Sequence, residues 1–87
     1  MEVIFSPKSL KDADYWKKSR NTKIQERITI LLDAIVEMPF EGIGKPEPLK
    51  HGLSGCWSRR INQEHRLIYE IIGNEIHILS IKGHYKD

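Results

Sequence analysis

The stretch CWSRRINQEHRLIYEIIGNEIHILSI, residues 56–81, decides the fold. It contains three strand-like runs, Cys56–Ile61, Arg66–Ile72 and Glu75–Ile81, rich in the β-branched and aromatic side chains that suit a pleated surface. Asn62-Gln63-Glu64 supplies a turn between the first two. Gly73-Asn74 is a two-residue hairpin signal between the second and third, since both residue types tolerate the backbone that a tight hairpin needs. Three antiparallel strands in succession are therefore expected. The last run, dense in isoleucine and leucine, should be a central, well-buried strand.

Upstream, residues 40–55 (FEGIGKPEPLKHGLSG) have a different texture, with two of the four prolines and four of the six glycines. Pro46 and Pro48 bracket Glu47 and fix the backbone on both sides of that carboxylate. Long loops are uncommon in small domains and are often functional, so this segment is the first place to look for a site. Further back, Ile24, Ile28, Leu31 and Ile35 form one helical stripe, opened by a capping box of Thr22 and Gln25 and closed by Pro39. Ser6-Pro7 reads as an N-cap followed by proline at the first helical position, and the spacing of Leu10, Ala13 and Trp16 carries a first helix to about Lys18. Val3-Ile4-Phe5 is an opening strand. The sequence therefore reads as α+β, one domain spanning residues 1–87. Its N-terminal strand and two helices pack on a small twisted, mainly antiparallel sheet.

Eighty-seven residues allow a limited core. A lone cysteine, Cys56, excludes an internal disulfide and suits a reducing compartment. The N-terminus lacks a charged leader with a long apolar run, and no stretch approaches the roughly 20 apolar residues of a membrane span. A cytoplasmic protein is expected. The net charge of +2 hides an uneven distribution. Met1–Gly44 balances seven basic against seven acidic residues, whereas Lys45–Arg66 sets Lys45, Lys50, Arg59, Arg60 and Arg66 against Glu47 and Glu64. That concentration suits a local anion site. The four histidines and one cysteine show no paired metal spacing, and no nucleotide-binding glycine loop or serine-hydrolase motif is present. Cys56 beside Trp57 reads as packing.

The remaining polar residues suit phosphodiester cleavage, in which RNA's own 2′-hydroxyl attacks the neighbouring phosphorus. That step needs a base, cations to stabilise charge on the phosphate oxygens, and an acid for the departing 5′ oxygen. Glu47 fits the base, Lys50, Arg60 and Arg66 the cations, and His84 the acid. Tyr85 offers a ring for base stacking and a hydroxyl. Each also has a plainer reading: Glu47 as a loop carboxylate, Arg66 as the ion-pair partner of Glu70, His84 as a solvated tail residue. Composition and spacing alone lead only as far as an RNA binder.

Residues 39–71, PFEGIGKPEPLKHGLSGCWSRRINQEHRLIYEI, resemble the YoeB/Txe family within the RelE superfamily of bacterial toxins. EG-x-GKPEPLKH, LSG-x-WSRRI and EHRL-x-Y occur in the right order and separation, and His84-Tyr85 fits the HY that follows. The resemblance implies a ribosome-dependent endoribonuclease of microbial-ribonuclease-like α+β fold that cuts messenger RNA in the ribosomal A site without a metal cofactor. It further implies Glu47 as general base, Arg66 as phosphate-stabilising residue and His84 as general acid. Tyr85 becomes a substrate-positioning residue, with Lys50 and Arg60 as supporting phosphate contacts. Either Glu47 or His84 can hold or give the proton, so the division of acid and base stays open. The implied partners are a YefM/Axe (Phd-type) antitoxin, the 70S ribosome and its messenger, and the family also admits homodimers. An acidic antitoxin tail is expected to order against Lys45–Arg66. The alternative from another class is a non-catalytic module of the same fold that blocks translation without cutting. Cys56 departs from the larger, often aromatic residue expected before the tryptophan, and Lys86-Asp87 extend past the HY pair.

Overall fold

The computed structural model describes residues 1–84. They form β1 (Glu2–Phe5), α1 (Pro7–Ser19), α2 (Thr22–Glu37), β2 (Glu47–Pro48), a 3₁₀ turn at His51–Leu53, β3 (Cys56–Arg60), β4 (Arg66–Ile72) and β5 (Glu75–Ser80). The strands make one five-stranded sheet in the order β1-β5-β4-β3-β2. β3, β4 and β5 pair antiparallel in succession, as expected; β2 adds an unexpected antiparallel edge to β3, and β1 runs parallel to β5, from Glu2 opposite Glu75 to Phe5 opposite Ile78. The sheet is thus mixed. β5 is an interior strand and β4 occupies the middle of the order.

Local chemistry explains the helix ends. The Ser6 hydroxyl accepts from the Ser9 N–H at 3.0 Å and Pro7 takes the first turn, where a missing N–H does no harm. α2 begins differently from expectation. Asn21 is its N-cap, with Oδ1 accepting from the Ile24 N–H at 3.2 Å. The Thr22–Gln25 capping box does not form, because Asn21 is an equally good cap one residue earlier and leaves Gln25 one position too far along. Gln25 Nε2 donates instead to the Trp16 carbonyl at 3.0 Å, tying the start of α2 to the end of α1.

The Ile24, Ile28, Leu31 and Ile35 stripe packs with Trp16 on Leu67, Tyr69, Ile76, Ile78 and Ile81 of the sheet. Each such fully buried aliphatic side chain stabilises the fold by roughly 1.5–3 kcal/mol. Strand alternation sends Ile68 to the other face, where it joins Leu49 and Cys56 in a second, smaller cluster flanked by Leu53 and Leu79. One face of the sheet is therefore covered by helices and the other is open beyond that small cluster. Trp57 lies on the helix side but is only half-buried, under Phe40 at a ring-centroid distance of 4.8 Å.

The glycine- and proline-rich segment is more ordered than a loop. β2 adds an edge strand to β3, Glu47 opposite Ser58 and Pro48 opposite Trp57, and the Leu49 N–H extends the pairing to the Cys56 carbonyl at 2.9 Å. An edge strand is where proline's missing donor is tolerated. Lys45 (φ 51°) and His51 (φ 57°) take left-handed conformations on either side and turn the chain into and out of this strand. Gly44 passes so close to the core that a Cβ there would lie 2.8 Å from Leu31 Cδ2 and 3.1 Å from Arg59 Cβ.

Candidate active site

Residues directly opposed in an antiparallel pair share a face, as do residues two apart on one strand. Glu47 opposes Ser58, and Arg60 opposes Arg66. Ser58 and Arg60 are two apart on β3. Glu47, Arg60 and Arg66 therefore share the open face near one end of the sheet. The Cα atoms of Glu47 and Arg66 are two strands across and two residues along, roughly 12 Å. Side chains of this length can reach a common group across such a span. Glu47 and Arg60 are exposed and Arg66 is half-buried, with its Nη1 donating to the Asn62 carbonyl at 3.0 Å.

The chain segment before His84 returns to the same corner. The Gly83 carbonyl accepts from the Arg66 backbone N–H at 2.9 Å, and the Gly83 N–H donates to His65 Nδ1 at 3.0 Å. Its φ of +114° is glycine territory, and it lets one residue present both groups to neighbouring positions of the sheet. His84 thus emerges, exposed, beside the start of β4 and Arg66. Helix α1 fixes the approach. Asp12 Oδ2 accepts from the Ile81 N–H at 3.0 Å and from Lys8 Nζ at 2.7 Å, Trp16 Nε1 donates to the Ile81 carbonyl at 2.7 Å, and Lys8 Nζ also reaches the Lys82 carbonyl at 3.1 Å. Sequence reasoning did not single out Asp12, Lys8 or His65. The spacing of Ser9, Asp12 and Trp16 along one helix face carried a usable signal, since it puts a carboxylate among positions that become buried.

The remaining expected residues divide. Lys50 is exposed and directly precedes the 3₁₀ turn. Because β2 and β3 are antiparallel, moving from Glu47 to Lys50 leads away from Arg60, so the fold does not place Lys50 in the Arg60–Arg66 corner. Tyr85 lies outside the described residues. Arg59, counted in the basic segment, contributes nothing to its surface. It is fully buried, with Nε donating to the Tyr69 hydroxyl at 3.1 Å, Nη1 to the Ile43 carbonyl at 3.0 Å, and Nη2 to the carbonyls of Met38 and Glu41. Alternation explains this: Trp57 on the helix side puts Arg59 there too. The Tyr69 hydroxyl in turn donates to the Pro39 carbonyl at 2.6 Å, so Arg59 and Tyr69 together tie down the segment leading to Glu47. Burial pushes the Tyr69 hydroxyl's pKa up, against the opposing pull of Arg59. The Cys56 thiol is raised by burial and then by the nearby Glu70 charge, which disfavours the thiolate and fits packing rather than nucleophilic use.

Among the described residues the open face has no enclosed cavity, and no group of three or more His, Cys, Asp and Glu is arranged to hold a metal ion. None of their helices is long and apolar enough to cross a membrane. Residues 5–85 match a family described as the YoeB-like toxin of bacterial type II toxin–antitoxin systems. The chain belongs to that family. Toxin YoeB of Synechocystis sp. is 48% identical over 86 residues, 99% of each chain. Among solved structures, the YoeB/ParE toxin from Agrobacterium tumefaciens superposes with a TM-score of 0.93 at 34% identity, covering 98% of this chain and 100% of that one. YoeB from Staphylococcus aureus, solved as a dimer, gives 0.88 at 44% identity, with 98% of both chains covered. Its complex with YefM gives 0.87 at 45%, with the same coverage. The α+β architecture and the family resemblance read from the sequence both hold.

Proposed function

We propose that this YoeB-like toxin is a ribosome-dependent endoribonuclease that cuts messenger RNA in the A site. The observation that supports it best is the meeting of four chain segments at one corner of the open face: Glu47 from β2, Arg60 from β3, Arg66 from β4, and His84 following Gly83. In the proposed reaction Glu47 takes the proton of the 2′-hydroxyl, whose oxygen bonds to the adjacent phosphorus. Arg66 and Arg60 stabilise the added negative charge on the phosphate oxygens, where a planar guanidinium donates two parallel hydrogen bonds. The bond from phosphorus to the 5′ oxygen breaks, His84 protonates the leaving oxygen, and a 2′,3′-cyclic phosphate remains. Side chains thus supply acid, base and charge stabilisation without a metal. Tyr85 stacks on a base beside the cut, and Lys50 makes an outlying phosphate contact.

An open face on a chain of net charge +2 holds RNA weakly by itself, which is why the ribosome is the expected scaffold for the substrate. By likeness to the S. aureus proteins, the chain is inhibited by a YefM-type antitoxin and forms a homodimer. It acts as one cytoplasmic domain.

The test is to map 5′ ends on a messenger held on programmed ribosomes, using wild type, Glu47→Ala and His84→Ala. The expected result is a cut within the A-site codon, absent without ribosomes and slowed about 10²–10⁴-fold in either variant. Translation blocked with no cut at all would overturn the enzyme reading in favour of a non-catalytic binding module.

A further inference from the structure

We infer that His65 is a positioning residue for His84, acting through Gly83. This rests on the reading of His84 as the acid. Residues 65 and 66 grip one glycine from two directions: the His65 ring accepts the Gly83 N–H at 3.0 Å and the Arg66 backbone N–H donates to the Gly83 carbonyl at 2.9 Å. Between them they fix the peptide planes on both sides of the Gly83 Cα, Lys82–Gly83 through its N–H and Gly83–His84 through its carbonyl, and so the direction in which the chain enters His84. A backbone N–H can only donate, so Nδ1 must present its lone pair and the ring proton belongs on Nε2.

The ring is itself held. It meets Trp16 edge to face at a centroid distance of 4.9 Å, and Trp16 is locked by its 2.7 Å bond to the Ile81 carbonyl. The same aromatic pair therefore touches the tail on both sides of Lys82, Trp16 at Ile81 and His65 at Gly83. The His65 backbone is also fixed, its N–H donating to Asn62 Oδ1 at 2.8 Å and its carbonyl accepting from Ile61 at 3.0 Å. The imidazole cannot simply follow the tail if the tail moves. It sets a fixed point from which the chain enters His84, next to the start of β4 and Arg66. Displacing an acid by about 1 Å from its productive position lowers a rate by up to about 10²-fold. The phosphate contacts of Arg60 and Arg66 do not depend on the His65 ring, so the loss should fall on kcat rather than KM.

Two substitutions separate this role from simple packing. His65→Asn keeps an acceptor near the place of Nδ1, whereas His65→Leu keeps apolar bulk against Trp16 and removes the acceptor. Hydrogen exchange at the Gly83 amide and single-turnover cleavage on ribosomes are measured for both, with His84→Ala as control. The leucine variant is expected to speed Gly83 exchange by about tenfold or more. It should slow cleavage about 10- to 10²-fold with KM within about twofold. The asparagine variant should stay within about threefold of wild type in both readouts. A packing role alone gives the reverse order, since leucine suits the Trp16 contact better. Wild-type Gly83 protection in His65→Leu, or equal impairment of the two variants, would overturn the inference. Should His65→Leu not fold, the ¹⁵N spectrum of the wild-type ring decides, and a proton on Nδ1 overturns it. Full cleavage by His84→Ala would instead overturn the proposed acid, and Gly83 exchange would still decide the clamp.

Discussion

Two segments bring the site to the sheet, and buried charges of opposite sign hold them. Residues 38–43, leading to Glu47, turn carbonyls inward and are gathered round a cation, the Arg59 guanidinium. The segment leading to His84 is held first by an anion: Asp12 accepts the Ile81 N–H, while Lys8 balances its charge and donates to the Lys82 carbonyl. The polarity of the backbone groups left over at each place dictates which kind of side chain can satisfy them. The two clamps also differ in depth. Arg59 is fully buried with every partner inside the fold, whereas Asp12, though itself buried, is balanced by a Lys8 side chain that is 50% exposed. The Glu47 end is therefore coupled to the stability of the whole fold, while the His84 end is held by bonds that can open locally.

The largest effect expected from this contrast is that of Arg59→Met. It leaves three carbonyls and the Tyr69 hydroxyl without their buried donor and should lower stability by about 3–5 kcal/mol, read from urea denaturation. A midpoint close to wild type would show that the two clamps are not different in depth. Asp12→Ala should come next, at about 1–3 kcal/mol. Its diagnostic is that the Ile81 amide exchanges faster well before the β4 amides do. Uniform acceleration through the sheet would place the tail in the same cooperative unit as the loop. The smallest effect on stability belongs to Arg60→Ala, with an unchanged urea midpoint despite the substitution's adjacency to Arg59. Cleavage should nevertheless fall about 10- to 10²-fold through loss of a charge-assisted phosphate contact.

Much of this fold could be read locally. Ser6-Pro7, the α2 stripe and Gly73-Asn74 act within a few residues of chain, and the structure uses each as expected. The parallel pairing of β1 with β5 has no local marker, because nothing in Val3-Ile4-Phe5 specifies a partner. β2 escaped notice because two residues between glycines and prolines show no alternation. Of the proposed site, Glu47, Arg60, Arg66 and His84 were legible as residue types; the strand register puts the first three on one face, and the bonds to Gly83 bring the chain back beside Arg66. The distinction between Arg59 and Arg60 was available from the alternation of β3 but is invisible to a count of charges. His65 could not be found from sequence, since its partner Gly83 meets it only once β4 and β5 are aligned.

The Ser6 hydroxyl donates to the Leu79 carbonyl across 73 residues of chain, and Asp12 meets the Ile81 N–H across 69. Elements made early in this fold are thus completed by elements made much later. Until β5 has been made, β1 has no neighbour and Asp12 no backbone partner, so neither the complete sheet nor the His84 corner can form. A chain interrupted before β5 carries every residue of the Glu47 loop and yet lacks the proposed site. The protein that is proposed to act on translating ribosomes thus has its proposed site assembled only after its own β5 has been made.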